Sequence, residues 1–497
     1  MLMGLVYAQA DAHPERTALV YRDERISYAE LVERIERVAG GLAERGVGPG
    51  DAVALVLSDD PWLIACFHAV AALGAIVVPV NPAFKQAELE FCFRAPGVRT
   101  VISHERTAGV CERIVAGFER PAEVISDSAA HGQSSTLDAL LESGSPQRLP
   151  DRRPDEILVY QFSSGSTGRP KLVPRTHGQC VAEAELYREL GLTPEDTILS
   201  AIPLFHTYGM GACLFGAAIS GATVVILEDP QPFLLRRHRA LELIEAERVT
   251  VFPGVPFNFR LMAEAPADAD LSSLRLCFSA GTALPRASFE AFGERFGVLA
   301  RQLYGSTETG IISANTSVDP VATFESVGAP LGDARVEIVD DDGAPLPVGE
   351  LGEVTVLSPA ATAGYAEMEE LNRQAFRDGW YFTGDLGRLD EDGLLYLAGR
   401  KKLLIEVGGY KVDPIEVQDV VEAHPSVAEA IVVGAPGEIE GEEVVKAVAV
   451  PGEYCEEREV IAFCRERLAN FKVPRIVEFR DEIPKSPLGK VLRKYLV

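Results

Sequence analysis

Apolar and polar positions along the first three hundred residues fall into two alternating rhythms. The stretch SYAELVERIERVAGGLAERG places Leu31, Ile35, Val38 and Leu42 on one stripe with a period of 3.6, which predicts an amphipathic helix stopping at Gly46. DAVALVLS then reads as a strand, and similar short runs recur as AIVVPV, TVISH, ILVYQFS, TILSAIPL, TVVIL, VTVFPG and LRLCFSA. Strands alternating with helices predict largely parallel sheets covered on both faces. From about 322 to 398 the rhythm changes to short strands with Asp-Gly turns (RVEIVD, DDG, ELGEVTVLS, GWYFTGDLGRLDEDGLLYLAG), which predicts an antiparallel barrel or meander. Beyond Arg400-Lys401-Lys402 a compact α/β stretch of just under 100 residues is long enough for a separate domain. The expected organisation is α/β throughout: a large domain 1–399 of stacked, largely parallel sheets with a small β-barrel subdomain, a hinge at 400–402, and a mobile domain 403–497.

Two uncharged stretches, 61–83 and 207–227, invite a membrane reading. Each is broken by a glycine before a β-branched run, Gly74 before AIVVPV and Gly221 before ATVVIL, so each predicts a buried helix, a turn and a strand. The first begins at Asp59-Asp60-Pro61, an acidic cap with proline in the first turn. The N-terminal residues lack the basic start and apolar core of a signal peptide, and the eight cysteines show no CxxC pair. These features predict a cytoplasmic protein without a transmembrane segment, its cysteines mostly buried in a reducing compartment.

Charge changes the picture more than composition does. The 497 residues hold 47 basic and 74 acidic side chains, a net charge of −27. That balance argues against a general nucleic-acid binder, which needs a basic face to displace counterions. An anionic ligand would need locally concentrated cations and amide donors. The last 27 residues supply one concentration, seven basic (Lys472, Arg475, Arg480, Lys485, Lys490, Arg493, Lys494) against three acidic (Glu478, Asp481, Glu482). The other is the run Ser163-Ser164-Gly165-Ser166-Thr167-Gly168-Arg169-Pro170-Lys171 directly after the strand ILVYQF. Its glycines admit an anion close to the backbone, its hydroxyls donate, and Arg169 and Lys171 add charge. It lacks the GK[ST] of a P-loop.

SSGSTGRPK, PLFHTYG at 203–209, YGSTE at 304–308, YFTGD at 381–385, GRKK at 399–402 and PKSPLGKVLR at 484–493 occur in that order. Together they resemble the adenylate-forming superfamily, which contains acyl-CoA synthetases, peptide-synthetase adenylation domains and beetle luciferases. The resemblance runs from about Arg16 to Arg493 and is closest to the AMP-forming acyl-CoA synthetases.

The resemblance implies a reaction that joins a carboxylate to ATP, releases pyrophosphate, and passes the acyl group to coenzyme A. The loop Ser163–Lys171 would hold the β- and γ-phosphates. Glu308 would bind Mg²⁺, Thr307 would donate to a phosphate oxygen, and Tyr304 and Gly305 with Gly281, Thr282 and Ala283 would line the adenine site. Asp385 would accept the ribose hydroxyls and Arg400 would reach ribose or phosphate. Lys490 would bridge the incoming carboxylate and the α-phosphate. His206 would orient the acid; peptide-synthetase domains usually carry aspartate there, so the histidine argues against α-amino acids. Lys402 matches the hinge about which the small domain turns after adenylation. Gly408 and Gly409 match the strand lining the pantetheine tunnel, where a missing side chain leaves room. Leu403 and Glu406 depart from the family pattern.

The expected acid is a fatty acid, with candidate pocket residues Phe252, Val255, Pro256, Phe257, Thr282 and Ile312, together with Tyr208, each equally plausible as ordinary core. The alternatives are an aromatic acid of benzoate or coumarate type, a carrier-protein pantetheine in place of free CoA, and a silent nucleotide-binding scaffold.

Overall fold

The first long helix shows how directly local sequence sets an element here. Ser27 accepts the Glu30 N–H while the Glu30 side chain accepts the Ser27 N–H, closing a capping box at the start of Tyr28–Glu44. Such a cap is worth about 1 kcal/mol. Leu31, Ile35, Val38 and Leu42 are all buried on one stripe, and the helix ends one residue before Arg45-Gly46. Asp60 caps Pro61–Ala72 by accepting the Leu63 N–H at 2.9 Å, with Pro61 in the first turn. That helix is buried nearly all round and gives way past Gly74 to the strand Ile76–Pro79. The second uncharged stretch resolves likewise into helical turns from Thr207 to Ser220, including a π-helical turn Gly211–Phe215, then Gly221 and the strand Thr223–Ile226. Among the described residues no helix is long and apolar enough to cross a membrane.

The computed structural model describes residues 1–127, 136–163, 170–228, 233–400, 405–437, 442–452, 454–484 and 496. The chain forms two compact units. The larger comprises Met1–Pro82, Cys92–Gln161 and Leu172–Gly399, and the smaller Ala83–Phe91, Phe162–Lys171 and Arg400–Val497.

In the larger unit the strands Arg301–Ser306, Leu276–Ser279, Val251–Gly254, Thr197–Ser200, Thr223–Ile226 and Thr17–Tyr21 lie side by side in that order, all parallel. Register sets Val251 opposite Leu276 and Phe252 opposite Cys277, so alternate residues feed different cores. Val251, Ile198, Val224 and Phe278 join the core that contains the helix Tyr28–Glu44. Phe252, Leu199, Val225 and Cys277 join a second core, where Phe252, Phe259 and Phe292 meet edge to face at 5.3 and 5.1 Å between centroids. Burial on both faces accounts for the near-continuous apolar runs. A second sheet of six strands holds Glu123–Ser126, Thr100–Ser103, Ala52–Val56, Ile76–Pro79, Ile157–Ser163 and Lys171–Thr176.

The strands between 326 and 400 form an antiparallel meander. Its pairing continues through Ser326–Pro330 and Gly310–Ala314 into the main sheet. In the smaller unit Val427–Pro436 pairs antiparallel with Glu443–Pro451, which pairs parallel with Ile476–Phe479. Val412, Val417, Val432, Ala447, Val460 and Cys464 form this unit's core. All eight cysteines are free, seven of them buried and Cys455 half-buried.

Candidate active site

Parallel neighbours end at a common edge, and the loops leaving that edge carry several of the residues singled out by motif. Thr197–Ser200 leads to His206, Leu276–Ser279 to Gly281, Thr282 and Ala283, and Arg301–Ser306 to Thr307 and Glu308. The loop 281–283 is exposed, yet it is anchored next door: the Leu284 N–H donates to Gln302 Oε1 at 3.0 Å. Gly305 and Gly310 face each other across the turn, where a Cβ on Gly305 would lie 2.4 Å from the Gly310 carbonyl oxygen.

Two buried carboxylates stand out, each 6% exposed. Asp385 accepts from the Tyr304 hydroxyl at 2.5 Å, and its own N–H donates to Thr383 Oγ1 at 3.0 Å. The structure thus joins the YGSTE and YFTGD motifs directly. The Tyr304 ring packs in a core with Ile312 and Val327, so the tyrosine acts as a prop for Asp385. Glu308 accepts from the Tyr365 hydroxyl at 2.9 Å, and its carbonyl accepts from the Thr362 N–H at 2.7 Å. Sequence reasoning missed Tyr365 and Thr362, because nothing local to AATAGYAE marks them as neighbours of residue 308. Glu308 suits Mg²⁺: it is a hard oxygen donor held in one orientation, and that ion commonly takes one or two carboxylates plus phosphate oxygens and waters.

His206 is exposed and caps the turn Thr207–Met210, its Nδ1 accepting from the Tyr208 N–H at 3.3 Å. In the neutral ring an accepting Nδ1 leaves the proton on Nε2, a donor suited to a carboxylate oxygen. Thr207 accepts from buried Gln161 Nε2 at 2.9 Å, tying this turn to the strand that precedes the phosphate loop. Tyr208 is half-buried, and its hydroxyl donates to the Phe278 carbonyl at 2.8 Å. Burial raises this phenol well above its usual pKa, so it stays a neutral donor.

The candidate acyl-pocket residues sit in different surroundings. Phe252 is fully buried in the second core with Phe257 packed against that core, and Ile312 is fully buried beside Tyr304. Tyr208 packs instead against the first core, while Val255 and Pro256 are buried and Thr282 is exposed.

Ser163 ends the strand Ile157–Ser163 and Lys171 begins Lys171–Thr176; both are half-buried. Ser164, Gly165, Ser166, Thr167, Gly168, Lys402 and Lys490 lie outside the described residues. Arg400 ends the strand Leu395–Arg400. Gly408 and Gly409 form the two-residue turn between Ile405–Val407 and Tyr410–Val412, with φ of +57° and +91°. A turn with both central φ values positive favours glycine for its own geometry, before any ligand is considered. Register sets Glu406 opposite Lys411, and the Glu406 N–H donates to Glu443 Oε2 at 2.7 Å. The departure at Glu406 therefore sits across from a cation.

Residues 6–366 match the family model "AMP-binding enzyme", and residues 416–490 match the "AMP-binding enzyme C-terminal domain". Feruloyl-CoA synthase of an Amycolatopsis species is 32% identical over 98% of this chain and 96% of its own. A long-chain-fatty-acid–CoA ligase of Bacillus subtilis is 28% identical over 100% of this chain and 94% of its own. Among solved structures, a double mutant of o-succinylbenzoate CoA synthetase from Bacillus subtilis, bound to a product analogue, superposes with a TM-score of 0.88. The two are 30% identical, covering 99% of this chain and 98% of that one. The chain belongs to the family of AMP-binding enzymes within the adenylate-forming superfamily, and it is an enzyme of the acid–thiol ligase type.

Proposed function

We propose that this enzyme joins a compact aromatic acid to coenzyme A through an acyl-adenylate, in place of the fatty acid that the motifs alone suggest. One observation carries the choice of acid: Tyr208, two residues after His206, reaches across to the Phe278 carbonyl. A hydrogen-bonded phenol behind the acid-orienting histidine shortens the space for an acyl chain and offers a flat ring an aromatic neighbour. The feruloyl and o-succinylbenzoate relatives point the same way. A fatty acid is the second reading, favoured by full-length similarity to the long-chain ligase.

In this reading the first step is charge neutralisation and alignment. Ser163, Ser164, Gly165, Ser166, Thr167, Gly168 and Lys171 hold the β- and γ-phosphates, and Thr307 donates to a phosphate oxygen. Glu308 holds Mg²⁺, which supplies charge compensation on the phosphates when bound. Asp385, oriented by Tyr304, accepts the ribose hydroxyls; Gly281, Thr282, Ala283 and Gly305 border the adenine; Arg400 reaches ribose or phosphate. His206 Nε2–H and Lys490 fix the acid so that its oxygen attacks the α-phosphorus, forming the acyl–phosphate bond as pyrophosphate leaves. Domain 403–497 then turns about Lys402, and the hairpin carrying Gly408 and Gly409 admits the pantetheine thiol. The thiolate attacks the acyl carbon, the C–O bond to AMP breaks, and the thioester departs. A carrier-protein pantetheine could serve as the same nucleophile.

The test is a pyrophosphate-release screen across benzoates, cinnamates, fatty acids of graded length and amino acids, with and without CoA. The expected result is release with an aromatic acid and, with CoA, a product of thioester mass. Release with long-chain acids only would overturn the choice of acid, and no acid-dependent release would overturn the whole reading.

A further inference from the structure

Beneath the Glu308 turn lies a buried ion pair that the roles above do not use. Arg175 in the strand Lys171–Thr176 has no exposed surface, Glu183 in the helix His177–Glu189 has 1%, and Nη1 and Oε2 are 2.6 Å apart. Arg175 Nη2 donates to the Ala360 carbonyl at 3.1 Å, and Gln179 Nε2 donates to the Ala361 carbonyl at 2.7 Å. The next residue, Thr362, donates its N–H to the Glu308 carbonyl and its hydroxyl to the Pro174 carbonyl at 2.6 Å. Three residues on, Tyr365 holds the Glu308 carboxylate. On its other side the Glu183 carboxylate occupies space left by glycine: a Cβ on Gly310 would lie 2.4 Å from Glu183 Cδ, and one on Gly211 2.5 Å from Oε1. Gly310, two residues after Glu308, has φ of +67°.

Desolvating both charges is costly, and an apolar pair could fill the same volume, so stability alone is a weak reason for this arrangement. What an apolar pair could not do is grip the Ala360 carbonyl in a fixed direction. The pair reaches Glu308 from both sides, through the segment 360–365 and through Gly310. We propose that Arg175 and Glu183 are positioning residues that fix the Glu308 carboxylate, and the Tyr365 hydroxyl upon it, for one geometry of a magnesium–nucleotide complex. This rests on the reading of Glu308 as the residue that holds Mg²⁺.

A control pair lies in the main sheet, at the start of two strands whose far ends lead to His206 and to the loop 281–283. Asp196, just before Thr197–Ser200, pairs with Arg275 just before Leu276–Ser279, Nε to Oδ1 at 2.8 Å. The experiment compares ATP binding by calorimetry, with excess Mg²⁺ and with chelator, in the full-length wild type, Glu183→Gln, the double variant Arg175→Met/Glu183→Leu, and Arg275→Met, together with their melting temperatures. The double variant leaves no unpaired buried charge; if it does not fold, Glu183→Gln carries the test. The expected result is that the Mg²⁺-dependent gain in ATP affinity falls about 10-fold or more in the first two variants, as for other supports of a metal ligand. Their metal-free ATP binding stays near wild type, while Arg275→Met melts lower and keeps the full gain. Variants at 175 and 183 that melt lower yet keep the full gain would overturn the proposal and leave a purely structural pair. A wild type with no Mg²⁺-dependent gain would overturn the Glu308 reading itself, and the proposal with it.

Discussion

Two sets of carboxylates, one in each unit, are held by partners of different kinds. In the larger unit Glu308 and Asp385 accept from tyrosine hydroxyls, Tyr365 at 2.9 Å and Tyr304 at 2.5 Å. In the smaller unit Glu416 and Glu88 close on the Lys472 ammonium at 2.8 and 3.0 Å, with the Phe84 ring centroid 4.9 Å from the same nitrogen. A phenol fixes the direction of a carboxylate without cancelling its charge, whereas an ammonium cancels it. The first kind of carboxylate can still be offered to a cation or to ribose hydroxyls. The second is committed to structure.

Substitutions can break or sharpen that contrast. Lys472→Met strands Glu88 and Glu416 without their shared cation, which should cost about 3–5 kcal/mol of unfolding stability, read by chemical denaturation of the full chain. A stability loss below about 1 kcal/mol would remove the structural half of the comparison. Asp385→Asn should do the reverse, melting near wild type while acid-dependent pyrophosphate release falls roughly 10²–10³-fold, the scale of one lost polar contact to a reacting nucleotide. Tyr365→Phe keeps the ring and removes one hydrogen bond of about 1 kcal/mol, so the Mg²⁺ concentration for half-maximal release should rise about 5-fold with little change in melting.

The smallest expected effect lies at His104, between Asp127 (Nδ1 to Oδ2, 2.6 Å) and Asp60 (Nε2 to Oδ2, 3.2 Å). Burial opposes charging this ring, but hydrogen bonds and charges from the two aspartates outweigh it and hold its pKa above the usual value. A raised folded-state pKa contributes stability that is fully present below the unfolded value near 6.5 and is lost as pH rises through the folded value. His104→Gln should therefore lower the melting temperature by a few degrees near pH 5.5, and the gap should close above pH 8. A gap independent of pH would show that the carboxylates here act through packing.

The units differ too in how far their sequence could be read. The helix stripe from Leu31 to Leu42 with its stop at Gly46, the Asp60-Pro61 start and the helix–glycine–strand stretches were legible because their causes lie within a few residues. So were the motif loops, since the strand ends that carry them are local patterns. The Glu308–Tyr365 and Arg175–Ala360 bonds join residues 57 and 185 positions apart, and no local rule pairs them. Adjacent strand residues such as Val251 and Phe252 feed different cores, and a continuous apolar run does not say which core each joins. In the smaller unit the glycine pair was marked by the family resemblance, and the turn gives these glycines a geometric cause of their own. The recruitment of 83–91 to that unit had no signal, because burial of Glu88 on Lys472 spans 384 positions.

The most direct measurement is phosphorus NMR of the wild-type enzyme with ATP, Mg²⁺, CoA and the best acid from the screen. The expected result is one AMP and one pyrophosphate per thioester formed, with neither released when the acid is withheld. ADP and inorganic phosphate as the stoichiometric products would contradict it.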